Sequence, residues 1–355
     1  MRAAVLRQGR VEVRETDEPQ PGPSELLLRT LSTGICASDV HFMDHPDVGR
    51  EDPSGQSLYD ENRDIILGHE FVGEVIGHGP GCTDQFPVGT RVTSISMRLV
   101  DGGPAIRIIG QHPEAQGSFA ERIVVSEEFA RPVAEGVADD AIAVVDAFAV
   151  GEFYVEKSKI RPGVIPIVIG AGAVGLSAVA ALAARNVHPI VVSDRRAERR
   201  ELARSFGADV LVDANTTSSP FGAWRNAANA AGIRKPPTVF ECVGAAGLMQ
   251  NLIDSCEPGT RIYAAGGWYT NDTINVTAAS KKGLMIQFGG GPRTVDWDRT
   301  LEAVCTGRLD PLPSVGRVIA LDDVPAALDE VRRAQGPPRI VVHPNGDAVR
   351  SDART

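Results

Sequence analysis

The stretch Val168-Ile-Gly-Ala-Gly-Ala-Val-Gly-Leu176 decides the fold of this 355-residue chain. It follows an apolar run and begins a helix of small residues, so strand, tight turn and helix occur in the order of a dinucleotide-binding fingerprint. Gly170 permits a sharp turn, Gly172 leaves the backbone open to a pyrophosphate, and Gly175 lets the helix pack closely on the strand. A glycine-rich turn in an unrelated α/β domain is the alternative.

The next predicted strand favours dinucleotide binding. Residues 189–193 are apolar and lead to Asp194, nineteen residues after Gly175. A carboxylate at this place accepts hydrogen bonds from the ribose hydroxyls of NAD and repels the 2′-phosphate of NADP. Arg195 and Arg199 follow, and they could instead hold a 2′-phosphate or form an exposed basic helix start. The sequence therefore favours NAD over NADP.

Composition and charge limit the class of protein. A hydrophobic fraction of 43% with 23% charged residues is ordinary for a globular enzyme, and the length favours two domains. A net charge of −10 argues against nucleic-acid binding, and no apolar run is long enough for a membrane span. The N-terminus lacks a signal core, and the five cysteines are scattered. We therefore expect a reduced, cytoplasmic protein.

The pattern of elements predicts two kinds of domain. Residues 1–145 contain short strands separated by Gly and Pro, which predicts a β-barrel-like domain. Residues 139–159 are expected to form one helix. Residues 165–288 alternate strand and helix, which predicts a doubly wound parallel sheet.

A polar stretch in the β-rich part predicts a long surface loop over residues 45–63, either a lid or a simple insertion. We expect this loop to line or cover the substrate pocket together with three aromatic residues. They are Phe42, Tyr59 and Phe148.

Candidate metal ligands occur in two segments. Gly34-Ile-Cys-Ala-Ser-Asp-Val-His41 contains Cys36, and Gly68-His-Glu-Phe-Val-Gly73 contains His69 and Glu70. Thiolate, imidazole and carboxylate together suit zinc. Cys36 could also be a core cysteine, and His69 a buried histidine with satisfied hydrogen bonds. Spacing alone leaves both interpretations open.

With these motifs, the chain resembles the zinc-dependent medium-chain dehydrogenase/reductases, the family of alcohol and polyol dehydrogenases. The G-H-E-x-x-G-x-x-x-x-x-G signature is met by Gly68, His69, Glu70, Gly73 and Gly79. Other typical segments are Pro21-Gly-Pro23, Gly34–His41, Gly117-Ser-Phe-Ala-Glu121 and the glycine turn. The resemblance covers residues 1–344.

The resemblance implies an α/β fold with a split catalytic domain. Residues 1–147 and 290–355 are expected to form a GroES-like β-barrel catalytic domain. Residues 148–289 are expected to form a Rossmann NAD-binding domain with a doubly wound parallel sheet.

The resemblance also implies a zinc site. Cys36 and His69 are expected to be ligands, and Glu70 to ligate the metal or lie beside it. Asp146 lies at the place of a glutamate in polyol dehydrogenases, twenty-four residues before Gly170. Asp146 could instead be only a helix-start carboxylate.

Some members of the family carry a second, structural zinc on four closely spaced cysteines. No cysteine lies between Arg91 and Gly117 in this chain. We therefore expect one catalytic zinc per chain and a lobe that is held by packing.

The resemblance assigns proton transfer to Ser38 and His41. Ser38 would accept the alcohol proton and pass it through the nicotinamide ribose to His41 and solvent. Ser38 could also be a helix N-cap, and His41 a solvent-exposed histidine.

Contacts to the cofactor are expected at the turn, at the strand ends and at one basic residue that meets the pyrophosphate. The predicted set is Gly170, Gly172, Val174, Gly175, Asp194, Arg195, Arg199, Val243, Gly266, Phe288, Gly289 and Arg339.

The implied function is hydride transfer between a secondary alcohol or polyol and NAD⁺. The implied assembly is a homodimer or homotetramer that pairs the strand 284–288 between copies, with no nucleic-acid or membrane partner. A zinc-free quinone or enoyl reductase using NADPH is one alternative, which Cys36, His69 and Glu70 disfavour. A catalytically inactive nucleotide-binding protein is another. The sequence does not identify the alcohol.

Overall fold

The computed structural model describes residues 1–83, 85–100, 105–216, 219–269 and 271–346. The strands are β1 Arg2–Arg7, β2 Arg10–Glu15, β3 Glu25–Gly34, β4 Ile65–Ile66, β5 Glu70–His78, β6 Arg91–Ser94, β7 Met97–Leu99, β8 Ile106–Ile108, β9 Arg122–Ser126, β10 Ala130–Pro132, β11 Pro166–Ile169, β12 Val191–Asp194, β13 Val210–Asp213, β14 Thr238–Glu241, β15 Arg261–Ala264, β16 Met285–Phe288, β17 Val315–Ala320 and β18 Arg339–His343.

The α-helices are α1 Ala37–Asp44, α2 Pro46–Arg50, α3 Asp139–Ile142, α4 Val145–Ser158, α5 Ala173–Ala183, α6 Ala197–Ser205, α7 Pro220–Ala231, α8 Leu248–Ser255, α9 Val276–Lys281, α10 Thr294–Cys305 and α11 Val324–Arg332. No described helix has the length and apolar character needed to cross a bilayer.

The chain divides into two units. The first unit is Met1–Asp146 with Leu301–Thr355, and the second is Ala147–Thr300. The predicted catalytic segments ended at 147 and resumed at 290, so they differ from these bounds by one and by eleven residues. Residues 347–355 of the predicted second segment lie outside the described residues.

The first unit is built on a seven-stranded sheet in the order β10-β6-β5-β3-β18-β17, with β9 also paired to β3. Strands β3 and β5 are antiparallel, and their register pairs Gly34 with Glu70. This register brings the candidate metal ligands together, because it places the segment that begins α1 beside the start of β5. Strand β18 pairs with β3 on the other side and brings the C-terminal part of the chain to the same place.

The second unit contains a six-stranded sheet in the order β13-β12-β11-β14-β15-β16, and every neighbouring pair is parallel. Apolar side chains pack on both faces of this sheet, as expected for a doubly wound fold. The strand order reverses between β11 and β14, and a ligand crevice lies at such a reversal. The predicted doubly wound parallel sheet is confirmed.

The prediction of one helix over 139–159 is wrong. The segment forms α3 and α4, and a turn at Ala143 and Val144 separates them. Both turn residues are 0% exposed, so tertiary packing overrides the helical propensity of the segment at this point.

The prediction of a continuous surface loop over 45–63 is also wrong. The segment contains α2, which starts at Pro46, and returns to the core at Tyr59, which is 5% exposed. The Tyr59 ring lies 5.4 Å from that of Phe42. Phe148 is 2% exposed and packs on Phe206 in the second unit. These three aromatic side chains belong to hydrophobic cores, so the structure does not support their prediction as pocket residues.

An ion pair holds the β7–β8 hairpin. This hairpin lies in the segment Arg91–Gly117, which has no cysteine to bind a structural zinc. The Arg98 guanidinium donates to both carboxylate oxygens of Glu25, at 2.6 and 2.8 Å. The side chain of Glu25 is 4% exposed and that of Arg98 is 17% exposed. Glu25 also accepts the N–H of Gly22 at 2.7 Å. The hairpin is therefore tied to β3 by a bidentate pair in addition to packing.

Candidate metal centre and nucleotide-binding edge

Three predicted ligands meet in the first unit. The Sγ atom of Cys36, a ring nitrogen of His69 and a carboxylate oxygen of Glu70 lie within 4.8 Å of one another. Cys36 is the N-cap of α1, and the other two residues lie at the start of β5. The β3–β5 pairing therefore assembles a donor set of sulfur, nitrogen and oxygen, which suits zinc.

Asp39 organises this donor set, and the sequence reasoning gave it no role. Its carboxylate is 0% exposed and lies 3.1 Å from Nδ1 of His69. It also accepts the backbone N–H groups of Cys36 at 3.0 Å and Gly68 at 3.2 Å. A carboxylate on Nδ1 fixes the ring so that Nε2 is left for a metal. The signal for this role was its place three residues after Cys36.

The protonation state of Cys36 also fits a metal. Burial raises the pKa of the Cys36 thiol, but the charge of Arg339 and the hydrogen bond to His69 outweigh it and lower this pKa to about 6. Burial lowers the pKa of His69, whereas Asp39 and Cys36 together raise it more, so the net shift is upward and a metal bound to this ring would displace a proton. The thiolate is the form that binds zinc, so Cys36 is prepared for that role at neutral pH.

Glu70 forms a buried ion pair with Arg339. The Arg339 Nη2 donates to Oε1 of Glu70 at 3.0 Å, and the side chains are 3% and 1% exposed. The Arg339 Nη1 donates to the carbonyl of Ile35 at 2.9 Å. The second carboxylate oxygen of Glu70 is buried and has no hydrogen-bond partner among the described residues. A buried carboxylate oxygen without a partner is expected if Glu70 binds a metal or lies beside one.

Arg339 therefore lies where the sequence analysis did not place it. It was predicted to contact the pyrophosphate, and the structure places it against Glu70, with a charge that acts on Cys36. Its contact with the pyrophosphate stays a prediction.

Asp146 is close to the donor set but is not one of its three members. It lies in the first turn of α4, which agrees with the alternative that Asp146 is a carboxylate at the start of a helix. Its carboxylate and the carbonyl of His69 both lie 3.0 Å from the Ser96 hydroxyl. Its charge also raises the pKa of Glu70, behind the larger effect of burial. Direct ligation by Asp146 stays a prediction.

Ser38 and His41 lie on α1 next to the donor set. The Ser38 hydroxyl is 3.2 Å from Nε2 of His69, and the N-cap position belongs to Cys36, so Ser38 is not a cap. His41 is three residues further on the same helix face and stacks on His45 at 6.1 Å. Burial, followed by His45, lowers the pKa of His41, so the ring is neutral and can accept a proton at neutral pH.

The glycine turn has the geometry that the fingerprint requires. Gly170 has φ +91°, and a Cβ there would lie 2.6 Å from the Val243 side chain. A Cβ on Gly175 would lie 1.8 Å from the Gly170 carbonyl oxygen, so only glycine fits. At Gly172 the nearest atom to such a Cβ is Nη1 of Arg199, at 4.0 Å, which leaves open space above the start of α5. Val174 lies in the first turn of α5.

Asp194 is fixed at the end of β12. Its carboxylate accepts the backbone N–H of Ala171 at 2.7 Å and that of Arg196 at 2.8 Å. The first bond ties it to the glycine turn, where a dinucleotide would lie. Arg199 faces the same turn, and burial lowers its pKa. Arg195 is exposed.

The other predicted cofactor residues lie at the carboxyl ends of three neighbouring strands. Val243 follows β14 and is 49% exposed, Gly266 follows β15, and Phe288 ends β16 and is 48% exposed. Gly289 comes next, with φ +69°. A doubly wound sheet binds its ligands at this edge.

Family models match both parts of the chain. A model described as an alcohol dehydrogenase GroES-like domain matches residues 22–135, and one described as a zinc-binding dehydrogenase matches residues 173–304. Together they cover more than half of the sequence and include the donor set, Asp39 and Asp194.

Curated relatives and solved structures agree with these models. The chain is 25% identical to a putative D-xylulose reductase of Agrobacterium fabrum, over 94% of this chain and 97% of that protein. It is 24% identical to the (R,R)-butanediol dehydrogenase of Neisseria gonorrhoeae, over 97% and 99%. An alcohol dehydrogenase from Thermus sp. ATN1 superposes with a TM-score of 0.78 at 25% identity, over 97% and 99% of the two chains. The chain therefore belongs to the zinc-dependent medium-chain dehydrogenase/reductase family.

Proposed function

We propose that this chain is a zinc-dependent dehydrogenase that transfers a hydride between a secondary alcohol or polyol and NAD⁺. The observation that carries the proposal is the Cys36, His69 and Glu70 donor set with the Ser38 hydroxyl beside it. A zinc-free quinone or enoyl reductase has no use for such a set. Relatives that are named after a pentulose, butanediol and sorbitol support a substrate with a secondary CH–OH group.

We propose that one zinc per chain is held by Cys36 and His69, with Glu70 and Asp146 as further candidates. Bound zinc would supply a Lewis acid for the alcohol oxygen. The chain's own residues then handle the proton. Ser38 accepts it from the alcohol, and neutral His41 on the same helix passes it to solvent.

The reaction is tested with a panel of secondary alcohols and polyols with NAD⁺ and NADP⁺, followed at the absorbance of the reduced nicotinamide. Turnover of at least one CH–OH donor is expected. Reduction of quinones or enones with NADPH, without oxidation of any alcohol, would contradict the proposal.

For the cofactor we propose NAD rather than NADP, on the basis of Asp194. Replacing Asp194 with alanine should lower the ratio of kcat/KM for NAD⁺ to that for NADP⁺ by about tenfold or more, because a charge-assisted hydrogen bond to ribose is lost and the repulsion of a 2′-phosphate disappears. The measurement is the pair of kcat/KM values. Asp254→Asn, on α8, is the matched control. An unchanged ratio would contradict the choice of NAD.

We also propose a homodimer or homotetramer formed through β16. This strand lies at the edge of the six-stranded sheet, and Met285 and Phe288 on it are 42% and 48% exposed. An uncovered edge strand can pair with a second copy. Light scattering at micromolar concentration should give at least twice the monomer mass of 37.7 kDa, and a monomer would overturn the proposal.

A further inference from the structure

A buried carboxylate lies beneath the predicted cofactor edge of the second unit and has no role in the proposed reaction. Glu241 ends β14 and is 0% exposed. Its Oε1 accepts the backbone N–H of Val243 at 2.7 Å and that of Gly244 at 2.9 Å. No cation pairs with it among the residues that the structure describes. A buried carboxylate is costly without such a partner, so its donors must stabilise it.

Glu241 also holds the loop that follows the neighbouring strand. Its backbone carbonyl accepts the N–H groups of Ala265 at 2.7 Å and Gly266 at 2.8 Å. The two loops touch backbone to backbone, since a Cβ on Gly266 would lie 2.3 Å from the Gly244 nitrogen. A single residue thus fixes the segments that follow β14 and β15.

The second carboxylate oxygen of Glu241 lies near Trp268, which follows β15. Burial raises the pKa of Glu241, and the backbone donors and the Trp268 indole oppose that shift. Neither Oε2 of Glu241 nor Nε1 of Trp268 has a formed hydrogen bond among the described residues, and the effect of Trp268 on the Glu241 pKa places this donor near this acceptor. The Trp268 ring meets Phe288 edge-on, with centroids 6.3 Å apart. Glu241 is therefore linked to Val243, Gly266 and Phe288, all predicted cofactor contacts.

The strand order tells which half of a dinucleotide these contacts would serve. In a doubly wound sheet the pyrophosphate lies at the reversal, and each mononucleotide lies over one half of the sheet. Asp194 ends β12, on the adenosine side of the turn. Strands β14, β15 and β16 form the other half.

We propose that Glu241 is a positioning residue for the nicotinamide half of the cofactor, which it holds by fixing the ends of β14 and β15 from below. The proposal rests on the proposed use of a nicotinamide dinucleotide. If Glu241 has this role, a change at Glu241 weakens the binding of NADH and leaves the binding of the adenosine half unchanged.

The test compares the binding of NADH with that of ADP, which carries only the adenosine half and the pyrophosphate. Glu241→Gln keeps the shape, but only one of its two terminal groups can accept, so its NH₂ group meets either the loop N–H groups or the Trp268 indole N–H. The dissociation constant of NADH is expected to rise about tenfold or more, the effect of one unsatisfied buried donor. That of ADP should stay within about twofold, because its ribose and pyrophosphate would contact Asp194 and the start of α5, and among the described residues the Glu241 side chain makes no hydrogen bond to either. Both are measured by calorimetry, with Glu201→Gln as the control, since Glu201 is exposed on α6.

Two results would overturn the inference. They are an equal loss of NADH and ADP affinity in Glu241→Gln, and no loss of either. If Glu241→Gln does not fold, Glu241→Asp keeps the charge but shortens its reach, and the same selective loss of NADH is expected. A wild-type chain that binds neither ligand would instead contradict the proposed function, so the two failures are distinguishable.

Discussion

Replacing Cys36 with serine is expected to remove the zinc and to lower kcat/KM by about 10³-fold or more, while the affinity for NADH stays unchanged. The thiolate is the strongest donor of the set, and its pKa of about 6 keeps it charged at neutral pH. Eleven of the twelve predicted cofactor residues lie in the other unit, and the twelfth, Arg339, keeps its ion pair with Glu70. Elemental analysis should fall from about one zinc per chain to near zero, and NADH titration should give the wild-type curve.

Cys305→Ser is the matched control. Cys305 lies in the same unit, on α10, and is not part of the donor set. This variant should keep its zinc and its turnover. Two results would contradict the assignment, namely full turnover of Cys36→Ser and a wild-type content near two zinc ions per chain.

Replacing Arg339 with methionine is expected to lower the free energy of unfolding by about 3–5 kcal/mol, because it leaves the Glu70 carboxylate buried without its counter-charge. Burial already raises the pKa of Glu70, and Arg339 is the largest influence that opposes this shift. Urea unfolding of the metal-free protein measures the loss. Metal-free protein is used so that a change in zinc affinity does not enter the result.

The double variant Glu70→Gln with Arg339→Met separates charge from packing. It should recover most of the lost stability, since no uncompensated carboxylate remains. A loss below about 1 kcal/mol in the single variant, or no recovery in the double one, would show that the pair is not a stabilising unit.

The parts of the fold that the sequence could predict depend on local chemistry. Gly170 and Gly175 were assigned correctly because a sharp turn and a close helix–strand contact leave room for glycine alone. Asp194 was placed at the end of its strand because parallel strands are short apolar runs with clear ends. The residue types of the donor set suit zinc, but the ligands were assigned only through the resemblance to the family.

The remaining features depend on contacts between distant segments. Asp39 lies thirty residues before His69, and only the β3–β5 register brings the two together. Arg339 reaches Glu70 across 269 residues, through the pairing of β18 with β3. Tyr59 was misassigned because it stands in a mostly polar stretch, and the pattern of that stretch does not indicate that one aromatic side chain packs in the core. No local pattern carries such information.

The ion pair between Arg98 and Glu25 makes the folding of the β7–β8 hairpin independent of a metal ion. A lobe built on four thiolates needs its ion to fold and can be damaged by chelators or oxidants. The hairpin of this chain is tied by a guanidinium and a carboxylate, neither of which undergoes redox chemistry. With the single catalytic zinc proposed above, zinc shortage is expected to leave a folded protein that lacks only its Lewis acid, and resupply of the ion is expected to restore turnover without refolding.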